Sequence, residues 1–317
     1  LSLVDGNGNI IELSPTNEAE NIDSINKFWA CIGGMGLTGI IIEATFAIIP
    51  ITNKFISVDT ERYTNLDALM EAMIEADQKY KYNVAWIDSL SKQGKGVLTC
   101  GEHAALEMLT NKQKETALEY KSTSNLSAPG FIPSGLLNKW TVRAFNEAWY
   151  RKSPEKRIGE LQEIGTYFHP LDGMQNWNKI YGPEGFIQYQ FVVPDEAAAL
   201  IPKALNSLKE IGAHSFLTVL KRLGKGNKSP LSFPRPGWTL ALDVPAKITN
   251  LNEVLTKLDH EIATSGGRIY LAKDSRQSSD VFKRCYPRLL EWLEIKKELD
   301  RRNVFCSDIS KRLGISN

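Results

Sequence analysis

The sequence predicts an α+β fold. Strands and amphipathic helices alternate along the chain, several of their connections look antiparallel, and "GFIQYQFVVP" alternates apolar and polar residues as a half-buried strand does. The one motif that suggests a doubly wound sheet argues against it on inspection. "CIGGMGLTGIII" contains G-x-G-x-x-G as Gly34, Gly36 and Gly39, but a dinucleotide-binding turn leaves a strand and enters a helix. Here Ile22, Ile25, Phe28 and Trp29 stand at helical spacing before the glycines, and a β-branched run follows them. A helix running into a strand presents no helix N-terminus to a pyrophosphate.

The elements follow in order. "LSLVD", the turn "GNGN" and "IIELSP" read as a hairpin, so further sequence is expected before Leu1. "NIDSINKFWACIGG" is a helix with Asn and Ser residues suited to its cap, and "GIIIEATFAIIP" is expected to be a buried strand ending at Pro50. A new rhythm begins near residue 54. "KFISVDT" is a strand, "NLDALMEAMIEADQKY" a helix opened by Asn65, and "YNVAWIDSL" a strand. Residues 91–150 are mixed, with a proline-glycine loop at "APGFIPSGLLNKW" and a short helix around "TVRAFNEAWYRKS". After "GFIQYQFVVP" comes "DEAAALIPKALNSLKEIG", a helix expected to be kinked by Pro202 and stopped by Gly212. "SFLTVLKRLG" and "WTLALDVP" are strands joined by "KGNKSPLSFPRPG"; "LNEVLTKLDHEIATSGG" is a helix, and "RIYLAKDSR" passes from strand to loop. The tail "PRLLEWLEIKKELDRRN" is a helix whose Leu289, Leu290 and Leu293 are expected to face a core.

Composition narrows the function. At 317 residues, with 42% hydrophobic and 24% charged, the chain has room for two globular domains. A net charge of +1 leaves no electrostatic footprint for nucleic acid. No apolar run approaches the length of a transmembrane helix, and no signal-peptide pattern opens the chain. Cys31, Cys100, Cys285 and Cys306 lack C-x-x-C spacing, and His103, His169, His214 and His260 do not pair at i, i+4, so no metal site is expected. H-E-x-x-H and G-x-S-x-G are absent.

Five segments carry a resemblance. "FWACIGGMGLTGIIIEATFAIIP", "WYRKSP", "FHPLDGMQNWNKIYGPEGFIQYQFVVP", "PLSFPRPGWTLALDVP" and "GGRIYLAKDSR…YPRLLEW" stand in the order of the decaprenylphosphoryl-β-D-ribose 2-oxidase family. These are FAD-linked oxidases of the vanillyl-alcohol-oxidase type, and the chain resembles their later two-thirds. Their N-terminal FAD subdomain has no counterpart in it. The resemblance implies a remnant of the FAD domain bracketing a substrate domain with a largely antiparallel sheet and flanking helices. Residues 1–53 would be the C-terminal portion of the FAD-binding domain, 54–268 the substrate (cap) domain, and 269–317 the return to the FAD domain. The change of rhythm near residue 54 and the Gly266–Gly267 stop agree with those borders.

The same resemblance implies FAD as cofactor and hydride transfer from a sugar secondary alcohol to flavin N5. The substrate would be a polyprenyl-phosphate-linked pentose, giving a 2-keto product. An aldonolactone oxidase acting on free sugars, or a non-catalytic substrate-binding module, stays open. The implied partners are the lipid-linked or free sugar and a short-chain dehydrogenase/reductase, with no nucleic acid. The implied location is the cytoplasm, the membrane periphery or the periplasm of a bacterium making cell-wall polysaccharide precursors.

By resemblance Ile41, Gly36, Gly39, Tyr270 and Lys273 meet the cofactor. Glycine lets backbone approach a ligand because no Cβ intervenes, though tight helix-to-strand packing explains the same residues. Lys273 is the candidate catalytic residue: an ammonium near the flavin would stabilise developing negative charge, or a desolvated amine would act as base. Pairing with Asp274 is its ordinary alternative. Gln188 and Gln190, two apart on one strand, share a face and offer both donors and acceptors to sugar hydroxyls. The exposed side of a sheet accounts for them equally. Lys221 matches a family lysine that could meet a phosphate oxygen, and Trp86 matches a pocket-wall tryptophan. Phe168 replaces the family tyrosine before "HPLD", Thr239 an asparagine and Ala241 a cysteine of the mycobacterial type. Those three substitutions leave the flavin chemistry intact and open the identity of the substrate.

Overall fold

A computed structural model of the chain describes residues 1–16, 22–120, 126–127 and 138–316. β1 (Ser2–Val4) and β2 (Ile10–Glu12) form the expected hairpin. Its turn is closed by Asp5, whose carboxylate accepts from the backbone N–H groups of Asn7 and Asn9 at 2.8 Å each. α1 (Ile22–Cys31) then leads through the glycine turn into β3 (Ile40–Glu43), which pairs antiparallel with β1 in a sheet of order β2-β1-β3. Asn21, the expected cap, lies outside the described residues, as does most of the loop "APGFIPSGLLNKW".

The strand expected to be buried as far as Pro50 is not. Its ladder ends at Glu43; Ile41 is 45% exposed, Phe46 77% and Ile48 80%. β3 is an edge strand, and among the described residues nothing covers its outer side. β-branched composition therefore produces extended backbone without burial.

The remaining elements are β4 (Phe55–Tyr63), α2 (Leu66–Ala76), β5 (Tyr82–Ile87), β6 (Gly96–His103), α3 (Asn111–Glu115), β7 (Leu126–Ser127), α4 (Lys139–Lys152), β8 (Lys156–Glu163) and α5 (Ile164–Phe168). After them come β9 (Met174–Gln175), β10 (Phe186–Val193), α6 (Leu200–Glu210), β11 (Thr218–Leu223), β12 (Gly237–Pro245), α7 (Leu251–Thr264), β13 (Arg268–Ile269), α8 (Ser279–Cys285), α9 (Leu289–Leu299) and α10 (Asp308–Arg312). Eight strands form one antiparallel sheet of order β13-β10-β12-β11-β5-β6-β4-β8. β7 and β9 make a separate parallel pair. Mixed helices and an antiparallel sheet are the α+β class that the sequence predicts. β6 and β8 escape sequence reading because "GVLTCGEH" carries glycines and charge, while "KRIGELQE" is a largely polar edge strand.

One face of the large sheet is the core. Leu69 and Met73 of α2, Ile201 and Leu205 of α6, and Leu255 and Ile262 of α7 pack with Tyr189, Phe191, Leu220, Leu240 and Leu242 of the strands. Asn65 caps α2 as expected, its side chain accepting from Ala68 N–H at 2.8 Å. Pro202 does not kink its helix. It is the third residue of α6, in the first turn, where an N–H has no intrahelical acceptor to lose. Gly212, at φ +75°, ends the helix with its own N–H on Lys209 and the next N–H on Leu208.

The two ends of the chain meet. Leu3, Leu13, Cys31 and Leu299 form a second cluster, and Gly6 N–H donates to the Leu299 carbonyl at 2.8 Å. The α9 stripe differs from the expected one. Leu290 is 75% exposed, whereas Leu289, Trp292, Lys296 and Leu299 are buried. One residue is about 100° of helical rotation, which carries Leu290 off the face that Leu289 and Trp292 share. Buried Lys296 donates to Asp300 at 3.1 Å and to Asn303 at 2.9 Å.

Candidate functional site

The other face of the large sheet is polar, and strand register explains why. Gln188 lies opposite Asp243 and Gln190 opposite Ala241; Lys221 lies opposite Thr239, and Val219 opposite both Ala241 and Trp86. Side chains directly opposite one another share a face. Their alternating neighbours Tyr189, Phe191, Leu220, Leu240, Leu242 and Ala85 are all in the core. Gln188, Gln190, Thr239, Ala241, Lys221 and Trp86 therefore gather on the side away from that core. The sequence places each residue on a strand; pairing makes them one site.

Within it, Gln188 Nε2 donates to Asp243 Oδ1 at 3.0 Å and Gln190 Nε2 to Thr239 Oγ1 at 3.1 Å. Ala241 presents only a methyl group opposite Gln190. Trp86 spends its indole N–H on the Phe216 carbonyl at 2.9 Å, which holds the ring as a wall. Phe168, at the end of α5, meets Tyr82 edge-on at 4.8 Å and Tyr167 at 4.9 Å. Tyr82 shares the Trp86 face of β5, so Phe168 stands further along the same side of the sheet.

Lys273 ends a single 3₁₀ turn (Leu271–Lys273) directly after β13. Tyr270 N–H donates to the Gln190 carbonyl at 2.9 Å, and Lys273 N–H to the Tyr270 carbonyl at 3.1 Å, which hangs the turn on β10. The pairing of Lys273 with Asp274 does not occur, because Asp274 takes Arg312 at 2.9 Å. Among the described residues the Lys273 ammonium makes no hydrogen bond or ion pair. Its charge is nevertheless felt across the site. Although Lys221 as a whole is exposed, desolvation around its amine, and then the Lys273 charge, hold its ammonium below the usual lysine range.

Asp243 escapes sequence reading, although its place two residues after Ala241 on one strand puts it on the same face. It is 3% exposed, and its Oδ2 has no hydrogen-bond partner among the described residues. Burial raises its carboxyl to about 6, against the lowering effects of the Gln188 hydrogen bond and the Lys273 charge. Tyr181 closes this end, its buried hydroxyl likewise unpartnered among the described residues and its ring stacked 4.3 Å from Phe186.

The glycine segment stands apart from this group, in the small sheet. A Cβ on Gly39, at φ +151°, would lie 2.7 Å from the Leu3 side chain and from the Val4 carbonyl. Gly39 is thus required by packing on β1. Gly36, at φ +71°, faces open space, and Ile41 lies opposite Leu3. The loop 224–236 links the two regions: Ser229 Oγ donates to the Ile32 carbonyl, and the Phe233 ring lies 4.5 Å from Tyr270. Two ammonium groups without a partner among the described residues, two amides and one buried carboxyl can bind an anion and orient hydroxyl groups beside it.

No protein-family model matches the chain. It is 38% identical over 319 residues, 99% of its length and 68% of the relative's, to decaprenylphosphoryl-beta-D-ribose oxidase of Mycolicibacterium smegmatis. It is 31% identical over 300 residues, 91% of its length and 80% of the relative's, to an uncharacterized protein in the mprA 5' region of Streptomyces coelicolor. Two solved structures share the fold at 13% identity. They are 6-hydroxy-D-nicotine oxidase from Arthrobacter nicotinovorans, TM-score 0.53, and xylooligosaccharide oxidase from Myceliophthora thermophila in complex with xylobiose, TM-score 0.55. The matches cover 95% and 96% of this chain but 63% and 64% of those two, so the chain spans a little under two thirds of their length. With 99% of the chain aligned to the mycobacterial enzyme at 38% identity, and with a fold shared with the two oxidases, the chain belongs to the decaprenylphosphoryl-beta-D-ribose oxidase family.

Proposed function

We propose that this chain carries the substrate-facing part of an FAD-dependent oxidoreductase that oxidises a sugar secondary alcohol, namely a polyprenyl-phosphate-linked pentose, to the 2-keto product. The observation that carries this reading is the polar cluster on one sheet face, with Lys221 and Lys273 beside Gln188, Gln190 and Asp243. The name of the mycobacterial relative supports the lipid-linked pentose.

The residues present fit a flavin. An ammonium without a partner among the described residues stands on the Tyr270 turn, and Gly36 offers backbone that no Cβ shields. When bound, the flavin supplies the hydride-accepting chemistry. Lys273 would stabilise negative charge developing beside it, and Tyr270, Gly36, Gly39 and Ile41 belong to the segments that would hold the ring. Residues 1–53 and 269–317, joined through Trp292 and Leu299, form the cofactor side; residues 54–268 form the substrate side.

The Gln188 and Gln190 carbonyls accept from sugar hydroxyls, and Lys221 meets a phosphate oxygen. Trp86 walls the pocket, while Phe168, Thr239 and Ala241 shape its remainder. A short-chain dehydrogenase/reductase that returns the keto group to the opposite alcohol is the partner this chemistry calls for. Among the described residues no helix is long and apolar enough to cross a membrane, and work at the membrane periphery suits a lipid-linked substrate.

Anaerobic mixing of the intact protein with a short-chain prenyl-phosphoryl pentose tests the reading. Bleaching of bound flavin is the expected result. Bleaching by free sugar lactones alone would identify an aldonolactone oxidase, and a protein that binds sugar without any flavin would be a binding module.

A further inference from the structure

Gln188 and Asp243 are direct cross-strand partners, joined by the 3.0 Å bond from Gln188 Nε2 to Asp243 Oδ1. We propose that Asp243 is a positioning residue: its carboxylate takes the amide NH₂ of Gln188 and so turns the Gln188 carbonyl oxygen toward the substrate, as acceptor for a sugar hydroxyl. The inference rests on the functional reading above for the hydroxyl, and on the geometry of this pair for the rest.

An ionised carboxylate only accepts hydrogen bonds, so only the NH₂ end of an amide can face it. The Gln188 carbonyl oxygen has no partner among the described residues, which leaves it as what the residue offers the site. Gln190 differs. Its Nε2 meets Thr239 Oγ1, and a hydroxyl both donates and accepts, so either end of that amide satisfies the threonine. One glutamine is locked by charge and its neighbour is adaptable. Nothing else among the described residues competes for Asp243 as a hydrogen-bond donor, since its Oδ2 is buried and unpartnered.

Protonation undoes the lock. A neutral carboxyl gains a donor that can face the Gln188 carbonyl, and the amide is then free to invert. With the Asp243 carboxyl raised to about 6 by burial, the acceptor is held above that pH and released below it. The charged and titratable groups that face Asp243 are Tyr181 from the 3₁₀ turn before β10 and Lys273 from the turn after β13. Lys221 of β11 is coupled to Lys273.

Two measurements test the device. In the ligand-free intact protein, the side-chain amide resonance of Gln188, assigned by its loss in Gln188→Ala, should shift with a midpoint near pH 6 and stay still in Asp243→Asn. A wild-type resonance that does not titrate overturns the proposal. Equilibrium titration with a short-chain prenyl-phosphoryl pentose should then show Asp243→Asn binding roughly 3- to 10-fold more weakly. The loss should fall more on the dissociation constant than on the limiting rate of flavin reduction. Gln188→Ala should lose as much, and adding Asp243→Asn to it should lose nothing further. Additive losses in the double variant overturn the proposal. A wild type that binds no such pentose defeats the functional reading, while the resonance titration still decides the Gln188–Asp243 pair. Should Asp243→Asn fail to fold, the wild-type titration and Gln188→Ala decide it.

Discussion

The indole N–H of Trp292 donates to the carbonyl of Ala30 at 2.9 Å, across 262 residues of sequence. Trp292 is fully buried, and the bond ties α9 to the last turn of α1. Trp292→Phe fills most of the space but orphans a buried carbonyl, so it should destabilise the protein by about 1–3 kcal/mol. Urea unfolding measures this, and an unchanged midpoint would show that the two ends are held together by other contacts.

Asp243 should make the fold less stable at neutral pH than in mild acid. Its folded carboxyl titrates near 6, above the ordinary 3.8 of the unfolded chain. Below the unfolded value both states hold the proton and the stability is fully present. As pH rises through the folded value that contribution is lost, because ionisation is costlier inside. Asp243→Asn removes the difference and should gain up to about 3 kcal/mol above pH 6, with little change below 3.8. Melting curves across that range check it; a gain of equal size at every pH would point to repacking instead.

Lys273→Ala should slow flavin reduction about a hundredfold, the cost of one lost transition-state charge contact of about 3 kcal/mol. Because the ammonium has no partner among the described residues, the melting temperature should barely move. Stopped-flow reduction beside a thermal melt separates the two effects. Reduction at wild-type speed removes Lys273 from the chemistry.

Thiol-directed electrophiles should spare the polar face of the large sheet. Ala241 offers no nucleophile, and burial pushes Cys100 up to about 12 and Cys285 up to about 11, with Cys31 also raised. Only Cys306 is exposed, so wild-type labelling should stop there and ignore substrate. Ala241→Cys should add one adduct that substrate blocks, as read by intact-protein mass. A folded, flavin-bound variant that gains none would contradict the placement of Ala241 in the site.

The local pattern of Phe186–Val193 was enough to make a strand and to put Gln188 and Gln190 on one face, because side-chain alternation is a property of one strand. Asn65 as a cap and Gly212 as a stop were legible for the same reason: each acts on backbone groups a few residues away. The family resemblance then assigned roles to Lys273, Lys221 and Trp86. Alternation alone does not say which strands adjoin.

Register between distant segments decided the rest. Gln188 meets Asp243 55 residues away only because β10 and β12 pair antiparallel in that alignment, and a shift of one residue would turn Asp243 into the core. Burial is equally a matter of what lies opposite. The isoleucines of β3 have the composition of a core strand, but hydrophobicity cannot specify a covering element, and they stand exposed at a sheet edge. The sequence by itself determined many of the elements, the Asn65 cap, the Gly212 stop and the common face of Gln188 and Gln190. Only the tertiary structure decided which faces meet, and with that the burial of Asp243, the nearness of Lys273 to Lys221 and the polar cluster between them, since desolvation and cross-strand contact arise only when segments far apart in the chain pack together.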